Sequence, residues 1–152
     1  MTSNKIDLAQ FDEAISRHDQ GLNVPIFGPD GRTPSGLVVR VAGPDSAKVV
    51  EARAVLQRKL VESRRLDPLT PQEVSRQGAE FLALITIGWF TPEDKPATVL
   101  IEGKELSFSV ENAILVYERY RFIRSQVDNA SGNRQAFLTA SPGSSATPSA
   151  ST

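Results

Sequence analysis

Cysteine is absent, and histidine occurs once, at His18. Without thiols there is no disulfide framework, no thiolate metal site and no cysteine nucleophile. A single imidazole excludes a cluster of histidine ligands and leaves little room for a Ser-His-Asp site. No catalytic, cofactor or metal residue is therefore assigned, and the chain reads as a non-enzyme. Long apolar runs are missing too. The longest, Phe81–Phe90, is interrupted by Thr86 and Gly88 and falls well short of the roughly 20 residues a membrane span needs. The opening MTSNKIDLAQFDEAIS has no apolar core and carries Asp7, Asp12 and Glu13 early, so neither a signal peptide nor a membrane partner is expected. A cytoplasmic location follows as an expectation. Net charge is nearly absent: seventeen Lys/Arg stand against eighteen Asp/Glu, for a formal −1. That is not the footprint of a general nucleic-acid binder.

What is present suits one globular domain. The 152 residues are 39% hydrophobic and 23% charged, ordinary values for a folded chain. Composition changes after Leu138. Residues 139–152 read TASPGSSATPSAST, with no charge and nothing larger than Pro or Thr. Such a stretch buries too little apolar surface to offset its ordering entropy, so a disordered tail is expected there. The expected organisation is a single α+β domain over 1–138, folded from about residue 5, and a tail over 139–152.

Periodicity gives the elements. Leu8, Phe11 and Ile15 recur at three and four, one face of a short helix over Leu8–His18. Residues 23–43 read as a β-hairpin with arms NVPIF and GLVVRVAG around GPDGRTPSG, and Pro25 marks the first arm as an edge. A lone hairpin is marginal in water, so it must pack on a helix or pair with another chain. A helix capped by Asp45 or Ser46 runs to about Leu66, with Val49, Leu56 and Leu60 on one narrow stripe. Thr70-Pro71-Gln72-Glu73 is a capping box with Pro at the first helical position. Its helix carries Val74, Gly78, Phe81 and Ile85 on one face, with Leu82 and Trp89 beside them. VLIEGKELSF turns around Glu102-Gly103-Lys104 as a small hairpin or extended loop. The last long helix starts at Ser109, with Val110, Ala113, Tyr117, Tyr120 and Val127 on its main face. Leu115 and Phe122, seven apart, share a separate face. The expected fold is thus α+β and mainly helical, an N-terminal β-hairpin packed on a bundle of about three main helices.

Charge is uneven along the chain. Residues 46–66 hold six Lys/Arg and two acids, whereas 67–112 hold three Lys/Arg and eight acids. A basic helix over 46–66 could face nucleic acid, but its charges flank an apolar stripe and read better as solvated stems. Arg119, Arg121 and Arg124 interleave with Tyr117, Tyr120 and Phe122, a pattern RNA binding would use. The two tyrosines fall on the main apolar face, which favours the core. Gly28-Pro29-Asp30-Gly31 and Gly43-Pro44-Asp45-Ser46 match no phosphate-loop pattern and read as turns. His18 reads as a surface residue. The Leu115/Phe122 face fits either a two-sided helix in a bundle or a docking stripe for a partner helix.

The order of these features resembles a known family. GLVVRVAGPDSAKVVEAR, Gly88-Trp89, the turn at Glu102-Gly103-Lys104, and Leu106-Ser107-Phe108-Ser109 leading into ENAILVYERYRFIRSQV and then NRQAFL resemble the small tail assembly chaperones of long-tailed, siphovirus-like bacteriophages. The resemblance implies a non-enzymatic role in virion assembly in the host cytoplasm, without cofactors. The implied partner is the tape measure protein, with the tail tube protein and a homo-oligomer as further candidates. Groove docking of a partner helix would rest on a few apolar anchors, and Trp89, Leu115, Tyr120 and Phe122 are the candidate partner-binding residues. Two other readings stay open: a structural virion protein, such as a tail completion or connector subunit, and, ranked lower, a nucleic-acid-binding regulator.

Overall fold

The computed structural model describes residues 5–139. Of the expected tail, residues 140–152 lie outside the described part. A 3-10 turn over Leu8–Phe11 leads into α1, Asp12–Gln20, and then into strands β1, Leu22–Phe27, and β2, Pro34–Val41. Helices α2, Ala47–Glu62, and α3, Pro71–Ile85, follow, and α3 passes directly into β3, Thr86–Phe90. A small hairpin of β4, Val99–Ile101, and β5, Lys104–Leu106, precedes α4, Val110–Arg119, α5, Arg121–Ser131, and α6, Arg134–Thr139. The fold is α+β and mainly helical, with the N-terminal hairpin in place.

Local chemistry sets the helix starts. Ser46 accepts from the Val49 N–H and Ser109 from the Asn112 N–H, each relieving one of the unpaired donors of a first turn. Thr70 and Glu73 complete the reciprocal capping box, with Pro71 at the first position. In the 28–33 turn, Asp30 accepts from the N–H groups of Arg32 and Thr33 and from the Thr33 hydroxyl. These bonds hold its carboxyl down at about 2.

The hairpin is not left alone. β1, β2 and β3 form one antiparallel sheet in that order, with Val39 opposite both Val24 and Trp89. The third strand comes from ITIGWF, residues of strand-like type that follow directly on the helical pattern. Thr86 makes the change of element possible. Its hydroxyl donates to the Leu82 carbonyl at 2.7 Å, taking up an acceptor the helix end leaves unpaired, and it meets the Tyr117 hydroxyl at 2.7 Å. Since Thr86 spends its one proton on Leu82, Tyr117 is the donor. Both side chains are buried, and burial pushes the Tyr117 phenol well above its ordinary range. The core gathers around this joint: Leu22, Val39 and Val41 from the sheet, Leu82 and Ile85 from α3, Val116 from α4 and Val127 from α5.

In the first helix it is the histidine, and not the apolar face, that is buried. Leu8, Phe11 and Ile15 are all exposed. The buried residue is His18, 2% exposed, where a surface histidine was expected. The imidazole stacks on Phe137 of α6, centroids 5.0 Å apart, and its Nδ1 accepts the Asp45 N–H at 3.0 Å. Gly43 is what lets it in, because a Cβ there would sit 2.4 Å from Nδ1. Arg134 then closes over Asp45 with two bonds, 3.0 and 3.2 Å. Chain neighbours could not reveal this burial, since the ring's cover comes from the other end of the chain. The expected stripe on α2 is also shorter in effect. Val49 is buried, but Leu60 is 43% exposed, and the helix stops at Glu62 rather than Leu66.

Two predictions follow from these contacts. Thr86→Val keeps shape but strands a carbonyl and a phenol, and should cost about 1–3 kcal/mol in urea unfolding. The second concerns pH. Burial lowers the His18 pKa below 6.5; Asp45 and Asp19 pull it up and Arg134 pushes it down. The folded chain therefore stays neutral at His18 where the unfolded chain takes a proton. Its stability contribution is full above pH 6.5 and is lost as pH falls through the depressed folded value. The urea midpoint should drop on acidification below about pH 6.5, with a shallower drop in His18→Gln.

Candidate functional site

The last long helix expected from Ser109 onward is two helices. At Tyr120 the backbone leaves the helical region, φ −115° and ψ 85°, while the Tyr120 carbonyl accepts from both Ile123 and Arg124 to start α5. No Gly or Pro marks the break. What drives it is packing on two different surfaces: α4 lies against α3, whereas α5 lies against β1. Gln126 fixes the second contact. Its Oε1 accepts the Phe27 N–H at 2.8 Å and its Nε2 donates to the Phe27 carbonyl at 2.9 Å. A side-chain amide thus stands in for a neighbouring strand at the irregular end of β1.

The elbow opens an apolar cleft of about 240 Å³. Val116, Tyr120, Phe122 and Ile123 line it from the helices, Leu37 from β2, and Val99, Leu100 and Ile101 from β4. Tyr120 and Phe122 meet edge to face, centroids 6.1 Å apart. Arg119 lies 5.7 Å over the Tyr120 ring and donates to Glu102 at 2.9 Å. Leu100 is 66% exposed, so the cleft has an apolar lip facing solvent. An aromatic pair fixed beside a water-exposed apolar lip suits an apolar side chain from outside. Among the described residues there is no group of three or more His, Asp or Glu that could hold a metal ion, and no helix long and apolar enough to cross a membrane.

The four candidate anchors part company. Tyr120 and Phe122 come together in the cleft. Leu115 is 45% exposed but lies outside it, because the break at Tyr120 puts it and Phe122 on separate helices and dissolves the shared face. Trp89 is 2% exposed, packed edge-on against Phe108 at 5.2 Å, and so is a core residue rather than an anchor. Trp89 was set beside the α3 face by periodicity, but it lies on β3, where the sheet buries it. Tyr117 is core, as expected, whereas Tyr120 is half-buried at the site. The residues that periodicity did not single out are Leu37, Leu100 and Gln126, whereas Ile123 extends the expected apolar face of the last helix. Only Leu100 carries a visible signal, an apolar residue one step from a tight hairpin turn.

No protein-family model matches the chain, and no curated protein or solved structure matches it. The site therefore stands on its geometry. Gln126→Ala should leave both main-chain groups of Phe27 unpaired and cost about 1–3 kcal/mol. Hydrogen exchange at the Phe27 amide should rise more than at the neighbouring strand amides.

Proposed function

We propose that the chain is a bacteriophage tail assembly chaperone, a non-enzymatic protein of the host cytoplasm that binds the tape measure protein and assists tail tube assembly. The observation that carries this reading is the open apolar cleft at the α4–α5 elbow. Its dimensions and its aromatic pair suit one or two large apolar side chains from an amphipathic helix. A tape measure protein is long, helical and aggregation-prone as the family resemblance has it, and shielding such side chains one site at a time keeps it in solution. Affinity comes from Tyr120 and Phe122, with Leu100 excluding water at the lip.

The competing readings have less support. A structural subunit joined by strand addition would need a receptive edge. Pro25 removes one donor from β1, and Gln126 already occupies Phe27. Nucleic-acid binding through the 46–66 stretch would need its cations gathered on one face, but Lys59 pairs with Glu80 at 3.4 Å, Arg65 beyond the helix end pairs with Glu73, and the exposed Arg53 and Arg58 lie on opposite sides of an apolar row.

Co-expression with a phage tape measure protein tests the proposal. The wild-type chain should raise the soluble fraction of that protein and be captured with it. Leu100→Asp, on an exposed side chain, should leave thermal stability unchanged and weaken capture about tenfold or more, the loss of one good apolar anchor. Equal capture by wild type and Leu100→Asp would remove the cleft from the account.

A further inference from the structure

Two more apolar surfaces are uncovered, and neither belongs to the cleft. On the N-terminal arm, Leu8, Phe11 and Ile15 are 67%, 53% and 45% exposed, in one row at spacings of three and four. On α2, Val50 and Val61 are each 65% exposed. They lie three turns apart and about 20° round the helix from each other, opposite the buried pair Val49 and Ala52. Ala54 and Gln57 complete that outward row, giving a spacing of four, three and four, the seam another helix packs against.

The flanking charges are opposite. Asp12 stands beside Phe11 and Ile15, and no ion pair engages it among the described residues. Arg53 and Arg58 stand on either side of the Val50–Val61 row, exposed and likewise without an ion pair. Of the other charges nearby, Glu13 pairs with Arg17, Asp19 accepts the Ala47 N–H and Lys59 pairs with Glu80, while the exposed Glu51 stands next to Arg58 and leaves the two arginines in excess along the α2 row. Among the described residues, one chain therefore carries an apolar helical row edged by an acid without an ion pair and another edged by two such bases, and no described residue covers either row. Between two copies each finds its complement.

We propose that the Leu8–Phe11–Ile15 face of one copy docks on the outward Val50–Val61 face of α2 in a second copy, with Asp12 set against Arg53 or Arg58. The contact is between unlike faces. Reciprocal pairing closes a dimer, while one-way pairing makes a ring or a filament. This association is independent of the cleft and of what occupies it.

Light scattering coupled to size exclusion, on the full chain over a concentration series, tests it. The wild-type chain should associate with a Kd below about 1 mM, and more weakly at high salt because part of the attraction is screened. Asp12→Lys should be monomeric under the same conditions, as should the double variant Arg53→Glu, Arg58→Glu. An equimolar mixture of the two variants should associate again, since each then offers the other's complement. All three side chains are exposed, so circular dichroism and the urea midpoint should stay near wild type. A wild-type chain that is monomeric throughout overturns the proposal. So does association that survives both variants, or a mixture that stays monomeric.

Discussion

Helix α3 becomes strand β3 at Thr86 without a turn between them, and one hydroxyl carries the change. A helix that ends inside a protein leaves carbonyls facing apolar surroundings, and each unpaired one is costly. Thr86 covers the Leu82 carbonyl, and in doing so presents a lone pair that Tyr117 fills from α4. Three elements are tied at one dry point. Because β3 begins there, the hairpin gains its third strand. Because α4 is held there, the chain that follows must turn to reach the sheet.

That turn creates the cleft. Once Tyr117 is anchored against α3, a straight continuation would carry Val127 and Gln126 away from β1. The break at Tyr120 sends α5 across the hairpin, and Gln126 secures it on Phe27. The space left inside the bend is bordered by apolar side chains from both helices and from the β4–β5 hairpin. The site is thus a by-product of satisfying the core in two directions. It is also rigidly framed, since each wall belongs to a different packed element.

Local signals carried most of the fold. Ser46, Thr70 and Ser109 were readable as caps because a cap is made by residues three apart. Both hairpins were readable from their turns, Gly28-Pro29-Asp30-Gly31 in the first and Glu102-Gly103 in the second. The direct passage from Ile85 to Thr86 was only half visible, in a run of residues that favour strands after a pattern that favours helix. Long-range facts were not readable. Tyr120 has neighbours of good helical propensity on both sides, so nothing local announces a break there. His18 sits between Arg17 and Asp19 and looks solvated, until Gly43 and Phe137 close around it. The site was half legible: the Tyr120–Phe122 pair was singled out, Leu115 and Trp89 were grouped with it by sequence, and Gln126 was invisible without the fold.

Trp89 has a consequence for anyone working with this protein in solution. It is the one tryptophan of the chain, sealed against Phe108 on the sheet, with its indole N–H unpaired among the described residues. Its emission is therefore that of an indole in a dry pocket with no hydrogen bond to red-shift it. The signal follows the integrity of the sheet and not the occupancy of the cleft, where Tyr120 and Phe122 are spectroscopically quiet beside it. The protein carries its own folding gauge, and a silent one for its partners.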